Sequence, residues 1–120
     1  MMHTGPILHL NRQQGTQFAA HCSAYRSSLW RCLLPSPERN QALRGIQGLQ
    51  GRLEQLQEQG QAHLALSLSM EEGTILKQLF IILMQQYGNA PPSAERNQKL
   101  GELGSLRVLV ERTLRQTQAL

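Results

Sequence analysis

The chain has 120 residues, a formal net charge of +4 and a sequence pI of about 9.7. This length allows one domain with a modest core, and a hydrophobic fraction of 40% argues against an intrinsically disordered chain. Leucine and glutamine dominate the composition, which favours helices over sheets. The acids are eight glutamates without any aspartate, so a Ser-His-Asp catalytic arrangement is excluded.

The first third of the chain carries most of the positive charge. Residues 1–35 contain Arg12, Arg26 and Arg31 and no acid, whereas the remaining residues are nearly balanced. Two interpretations stay open, an ordinary charged surface or attraction to nucleic acid or an anionic membrane. The acid-free start also has the composition of a transit peptide, a minority interpretation. Secretion is not expected, because no apolar segment followed by a cleavage site is visible.

Residues 1–14 show no sustained period, and Gly5-Pro6 interrupts regular structure, so we predict a flexible N-terminal arm. Thr16 to Leu34 is predicted as the first helix, because apolar residues recur there at helical spacing. The recurring residues are Phe18, Cys22, Tyr25, Leu29 and Cys32. The two cysteines would lie about 15 Å apart on one helix, too far for a disulfide. We therefore predict packed thiols in a reducing compartment. Trp30 lies off this apolar face, and we predict that it either caps the end of the bundle or is an exposed anchor.

A second helix is predicted from Pro37 to about Ala65, because Ser36 is a good N-cap and proline suits the first helical position. It carries a heptad seam, formed by Ile46, Leu49, Leu53 and Leu56. A line of glycines, Gly45, Gly48 and Gly51, follows the same helix. Each glycine costs about 1 kcal/mol in a helix interior. The line predicts either a close helix contact or a bend.

The most apolar stretch runs from Ser69 to Gly88 and is predicted as the innermost helix. Ser69 and Glu72 have the spacing of a capping box, and Gly88 ahead of Pro91-Pro92 has the character of a helix stop. The preceding residues 62–70, AHLALSLSM, alternate as a strand does. Because an isolated strand has nothing to pair with, we predict them as the end of the second helix and a connection.

Ser93 to Gln116 is predicted as the last helix, with Ser93 as its N-cap. Residues 36–57 and 93–114 align without gaps and share 8 of 22 residues. This similarity suggests a duplication that produced two tandem helical hairpins. The segments Glu38–Gln41 and Glu95–Gln98 would then be repeated surface patches. The alternative is that both segments share only the chemistry of a helix start.

The sequence contains no P-loop, no H-E-x-x-H and no C-x-x-C motif. Histidines occur at positions 3, 9, 21 and 63, and none has a metal-ligating residue four positions away. We therefore expect no enzymatic activity, no cofactor and no metal site.

We expect an all-α fold, an antiparallel bundle of three to four helices in a single domain of residues 15–120. The expected function is a non-enzymatic helical protein–protein interaction module, an adaptor, chaperone or assembly factor. It would form a homo-oligomer or bind a helical partner, in the cytoplasm and without a transmembrane segment. The alternative is a small basic nucleic-acid-binding regulatory protein. The residues expected to bind a partner are Ile46, Leu49, Leu53, Leu56, Arg26, Arg31, Arg39 and Arg96.

Overall fold

The structure, a computed structural model, describes residues 5–32 and 34–118. Its elements are β1 (Ile7–Asn11), α1 (Arg12–Cys32), α2 (Pro37–Glu58), β2 (His63–Ser67), α3 (Met70–Asn89) and α4 (Ala94–Gln118). The described part is mostly helical, as predicted, and adds a two-stranded sheet that was not predicted. Residues 1–4 of the predicted arm, Leu33 and the side chain of Cys32 lie outside what the structure describes.

The sheet joins two segments that the sequence keeps far apart. β1 and β2 run antiparallel, with Leu8 opposite Leu66 and Leu10 opposite Leu64. These four leucines are buried, and the residues between them in both strands are exposed. The prediction that residues 62–70 continue the second helix is therefore wrong. Residues 7–11, predicted as part of a flexible arm, supply the missing partner strand.

Two helix ends differ from the predicted ones for local reasons. α2 stops at Glu58, and Gly60 adopts a φ of 72°, a left-handed conformation that glycine allows and that ends many helices. Gly88, predicted as a helix stop, instead lies within α3. That helix ends at Asn89, and its C-cap residue Ala90 has an extended backbone (φ −76°, ψ 155°), as expected for the residue before a proline.

The helices form two antiparallel hairpins, α1 with α2 and α3 with α4. A Cβ on Gly15, near the start of α1, would lie 3.9 Å from Leu53 Cδ1, near the end of α2. A Cβ on Gly73, near the start of α3, would lie 3.0 Å from Leu114 Cδ2, near the end of α4. In each hairpin the start of the first helix therefore lies beside the end of the second, and the approach is closest between Gly73 and Leu114.

The core draws apolar side chains from all six elements. The most deeply buried large residues are Leu8, Leu10, Ile46, Leu49, Leu53, Leu64, Leu66, Leu76, Leu79, Leu83, Leu103 and Leu106. α3 is not enclosed on every side, because Ile81 is 51% exposed, which corrects the prediction of a helix buried all round. Of the glycine line in α2, Gly45 contacts Ile75 of α3, whereas Gly51 faces open space. Among the described helices, none combines the length and apolarity needed to cross a bilayer.

The two β-α-α units begin their first helices with the same chemistry. The Asn11 carboxamide oxygen accepts from the Gln14 N–H at 2.7 Å, and the Asn11 N–H donates to Gln14 Oε1 at 2.9 Å. Ser69 and Glu72 make the same reciprocal pair, at 3.1 and 2.8 Å, as predicted for a capping box. This equivalence is expected from a duplication and also from a shared helix-start chemistry, so both hypotheses stay open.

Candidate partner-binding surface

The predicted leucine seam lies inside the protein. Ile46, Leu49 and Leu53 have no exposed surface, and Leu56 is partly buried against the same core. A heptad seam predicts a partner helix but does not say whether that helix belongs to another chain. Here α2 packs against α1 and α3 of its own chain. These four residues are therefore not available to a partner in this conformation.

Two of the predicted arginines are tied to nearby polar groups of the same chain. Arg26 Nη1 donates to Gln50 Oε1 at 2.9 Å, which links α1 to α2. Gln50, itself buried, donates from Nε2 to the Ser23 hydroxyl at 2.9 Å. Arg31 is exposed, and its Nε–H donates to the Ser27 carbonyl at 3.4 Å. Of these two arginines, only Arg31 presents its charge largely to solvent.

Arg39 and Arg96 occupy equivalent places at the starts of α2 and α4. Their N–H groups donate to the hydroxyls of the N-cap residues Ser36 and Ser93, at 3.1 and 3.0 Å. Both side chains fold back onto the preceding helix. Arg96 Nε–H donates to the Tyr87 carbonyl at 2.9 Å, and Arg39 is buried, with 8% of its surface exposed. The prediction of repeated surface patches is therefore corrected at Arg39.

The buried Arg39 supports an exposed aromatic side chain. Its guanidinium carbon lies over the Trp30 ring, 4.5 Å from the ring centroid, a distance suited to a cation–π interaction. Trp30 itself is 57% exposed at the end of α1. Leu34, shortly after it, is 85% exposed. Trp30 at the end of α1 and Leu34 in the connection to α2 are thus both exposed, and we call these two residues the Trp30 surface.

Two neighbouring residues of α1, His21 and Cys22, carry buried titratable side chains. His21 Nε2 lies 3.1 Å from Glu102 Oε1. Burial lowers the pKa of His21, although the carboxylate of Glu102 opposes this shift. Burial raises the pKa of the Cys22 thiol to about 12, so the thiol is protonated at neutral pH and is a poor nucleophile. Cys22 is a packed thiol, as predicted.

An ion pair connects α2 to the junction of β2 and α3. Arg52 Nη2 donates to Glu72 Oε1 and to the Ser67 carbonyl, each at 2.8 Å. Burial alone would raise the pKa of Glu72, but the hydrogen bonds from Arg52 and Ser69 outweigh it and lower the pKa. A groove of about 660 Å³ lies beside this pair. Through these bonds Arg52, which lies beside the predicted seam on α2, connects its helix to β2 and to the start of α3.

Comparisons of the chain with protein-family models, with curated proteins and with solved structures find no match. The function is therefore argued from the geometry. Within residues 5–32 and 34–118, no group of three or more His, Cys, Asp or Glu side chains is placed to hold a metal ion.

Proposed function

We propose that this chain is a non-enzymatic helical module that binds another protein through the Trp30 surface. The observation that carries the proposal is the 57% exposure of the only tryptophan, whose ring rests on the buried guanidinium of Arg39. Tryptophan and arginine are the residue types that most often dominate binding energy at protein interfaces.

The arrangement favours binding because the ring is already held in place. A partner that covers an immobilised side chain loses less conformational entropy than one that must order a free side chain. Covering about 100 Å² of the ring would contribute on the order of 2.5 kcal/mol at roughly 25 cal/mol per Å². Leu34, with 85% of its surface exposed, would add further apolar contact beside it.

The self-association expected from the sequence relied on the leucine seam, which is buried, so a second copy would have to bind through the Trp30 surface instead. A second copy is the first partner to test, because the purified chain alone suffices. Light scattering of the wild-type protein across micromolar concentrations should show a mass that rises from monomer towards dimer. Trp30→Ala should keep the protein monomeric. The matched control is Val108→Ala, which shortens another half-exposed apolar side chain, on α4, and should leave association unchanged.

Two outcomes would count against this proposal. A monomer mass at every concentration would exclude self-association over that range. Equal weakening by Trp30→Ala and Val108→Ala would remove the special role of the Trp30 surface.

The proposal includes a cytoplasmic location, with which the free, buried thiol of Cys22 is consistent.

The alternative, a basic nucleic-acid-binding protein, draws less support from the positions of its arginines. Arg26 is bonded to Gln50, Arg39 is buried and Arg96 is bonded to a carbonyl, which leaves Arg31 as the most exposed of the four. A titration with pooled DNA or RNA at about 50 mM salt should show no binding. Binding that weakens steeply with salt, and less steeply in Arg31→Ala, would favour the alternative.

A further inference from the structure

The outer face of the two-stranded sheet brings together two histidines that are 54 positions apart in the sequence. His9 on β1 and His63 on β2 are both exposed, and His9 Nδ1 lies 2.8 Å from His63 Nε2. Their ring centroids are 4.9 Å apart, with 25° between the ring planes. No spacing rule applied to the sequence could pair them, because only the strand pairing makes them neighbours.

The strand register fixes this pair. His9 lies opposite Ala65 and His63 lies opposite Asn11, so the two histidines are diagonal neighbours on one face. The other face of the same strands is anchored by the buried leucines of the core, such as Leu10 and Leu64. The backbone that carries both imidazoles is therefore held in place by the fold.

The two nitrogens are close enough for one metal ion to bind both. Imidazole nitrogens bind divalent transition ions at about 2.0 Å, so two ligands at a right angle around one ion are about 2.8 Å apart. A tetrahedral ion would need about 3.3 Å between them. The 2.8 Å between the metal-free rings is their hydrogen-bond distance, and a square-planar ion, with its right-angle geometry, would require no greater separation of the two nitrogens. Cu²⁺ and Ni²⁺ prefer that geometry, and Cu²⁺ binds nitrogen ligands more tightly.

We propose that His9 and His63 form a two-histidine site for a square-planar divalent ion, Cu²⁺ foremost, that links β1 to β2. In the metal-free protein the facing nitrogens share one proton in a hydrogen bond. A neutral imidazole can carry its proton on either nitrogen, so on binding the donor ring keeps this proton on its other nitrogen and both facing nitrogens offer their lone pairs to the ion. Water completes the coordination, because no third His, Cys, Asp or Glu side chain of the described residues joins this pair.

Metal binding and folding are coupled in this arrangement. The unfolded chain separates the two histidines, so only the folded chain offers both ligands at once. An ion that binds the folded state alone raises its stability by mass action. Addition of Cu²⁺ should therefore raise the melting temperature of the protein.

The test compares Cu²⁺ binding in the full chain with that in His9→Asn and His63→Asn. Every protein carries His3→Gln, so that this third imidazole adds no binding of its own. Ser67→Asn is the matched control, since it changes the same exposed face and keeps both imidazoles. Titration calorimetry measures affinity and stoichiometry, and electron paramagnetic resonance counts the nitrogen ligands of the bound Cu²⁺.

The expected result is one Cu²⁺ per chain with two nitrogen ligands and a raised melting temperature. Each histidine substitution should weaken binding at least about tenfold, the size that even outer-shell substitutions reach, and should abolish the thermal shift. Unchanged binding in either histidine variant would overturn the proposal. So would absence of a Cu²⁺-dependent thermal shift in the protein that retains His9 and His63. Both side chains are exposed, so unchanged circular dichroism should confirm that the variants fold.

Discussion

The guanidinium of Arg39 lies 4.5 Å from the centroid of the Trp30 ring, and the charged residue of this pair is the buried one. Arg39 is 8% exposed and Trp30 is 57% exposed, the reverse of the usual preference of the two residue types. Burying a guanidinium costs free energy unless its environment compensates. The contact with Trp30 is one part of that compensation, and it holds the exposed ring in a fixed orientation.

Replacement of Arg39 should therefore weaken both the fold and the orientation of Trp30. We expect Arg39→Ala to lower the free energy of unfolding by about 1–2 kcal/mol, measured by urea denaturation. Because Trp30 is the only tryptophan, its fluorescence should change in the native state of this variant. Arg31→Ala is the control. Its exposed side chain bonds only to its own helix, so the loss should stay within about 0.5 kcal/mol. Equal losses in the two variants would contradict this role for Arg39.

The helices were predictable because their signals are local. The capping box at Ser69 and Glu72 and the N-caps Ser36 and Ser93 are short-range patterns, and the structure places each at a helix start. The sheet was not predictable in the same way. The alternation in residues 62–70 was visible in the sequence. Its partner strand, β1, lies far from it in the sequence, before α1 and α2. An isolated strand then looked less favourable than a longer helix.

The candidate surface was only partly predictable for a related reason. A seam of Ile46, Leu49 and Leu53 has the same appearance whether its partner helix is in the same chain or in another. Composition cannot decide between these cases, because the answer depends on how α1 and α3 pack. Trp30 was visible as a residue off the apolar face of its helix. The sequence did not show that Arg39 turns inward beneath Trp30, because this orientation depends on the geometry of the connection between α1 and α2.

The two faces of α3 should respond differently to truncation. Leu79 is 2% exposed, so Leu79→Ala should lower the free energy of unfolding by about 2–5 kcal/mol through lost burial and a residual cavity. Ile81 is 51% exposed on the same helix, and Ile81→Ala should cost less than about 1 kcal/mol. Chemical denaturation monitored by far-UV circular dichroism measures both. A large loss in Ile81→Ala would mean that another surface covers this side of α3.

The equivalent capping boxes should contribute equally. Asn11→Ala and Ser69→Ala each remove the side chain that accepts from the third helical N–H, at a cost of about 1 kcal/mol. Ser105→Ala, at an exposed position within α4, is the control and should change stability by less than about 0.5 kcal/mol. A negligible effect of Asn11→Ala beside a clear effect of Ser69→Ala would show that the two units do not begin alike in solution.

Protonation of His21, which lies beside Glu102, should make the stability of the protein depend on pH. The burial of the imidazole sets the direction of this dependence. The carboxylate, 3.1 Å away, favours a protonated imidazole, whereas burial disfavours it more strongly and lowers the pKa of His21 below 6.5. The unfolded chain then binds more protons at this position than the folded chain does. Stability is consequently complete above about pH 6.5 and falls as the pH drops from there through the lower pKa of the folded state.

Urea denaturation of the wild-type protein and of His21→Gln, at pH values from about 8 to 5, isolates this contribution. We expect the difference in unfolding free energy between the two proteins to be constant above about pH 6.5 and to shift against the wild type below it. The titration of His21 followed by NMR should give a folded-state pKa below 6.5 in the same protein. The opposite trend, with the wild type gaining stability on acidification, would mean that the attraction of Glu102 exceeds the cost of burying the charged ring.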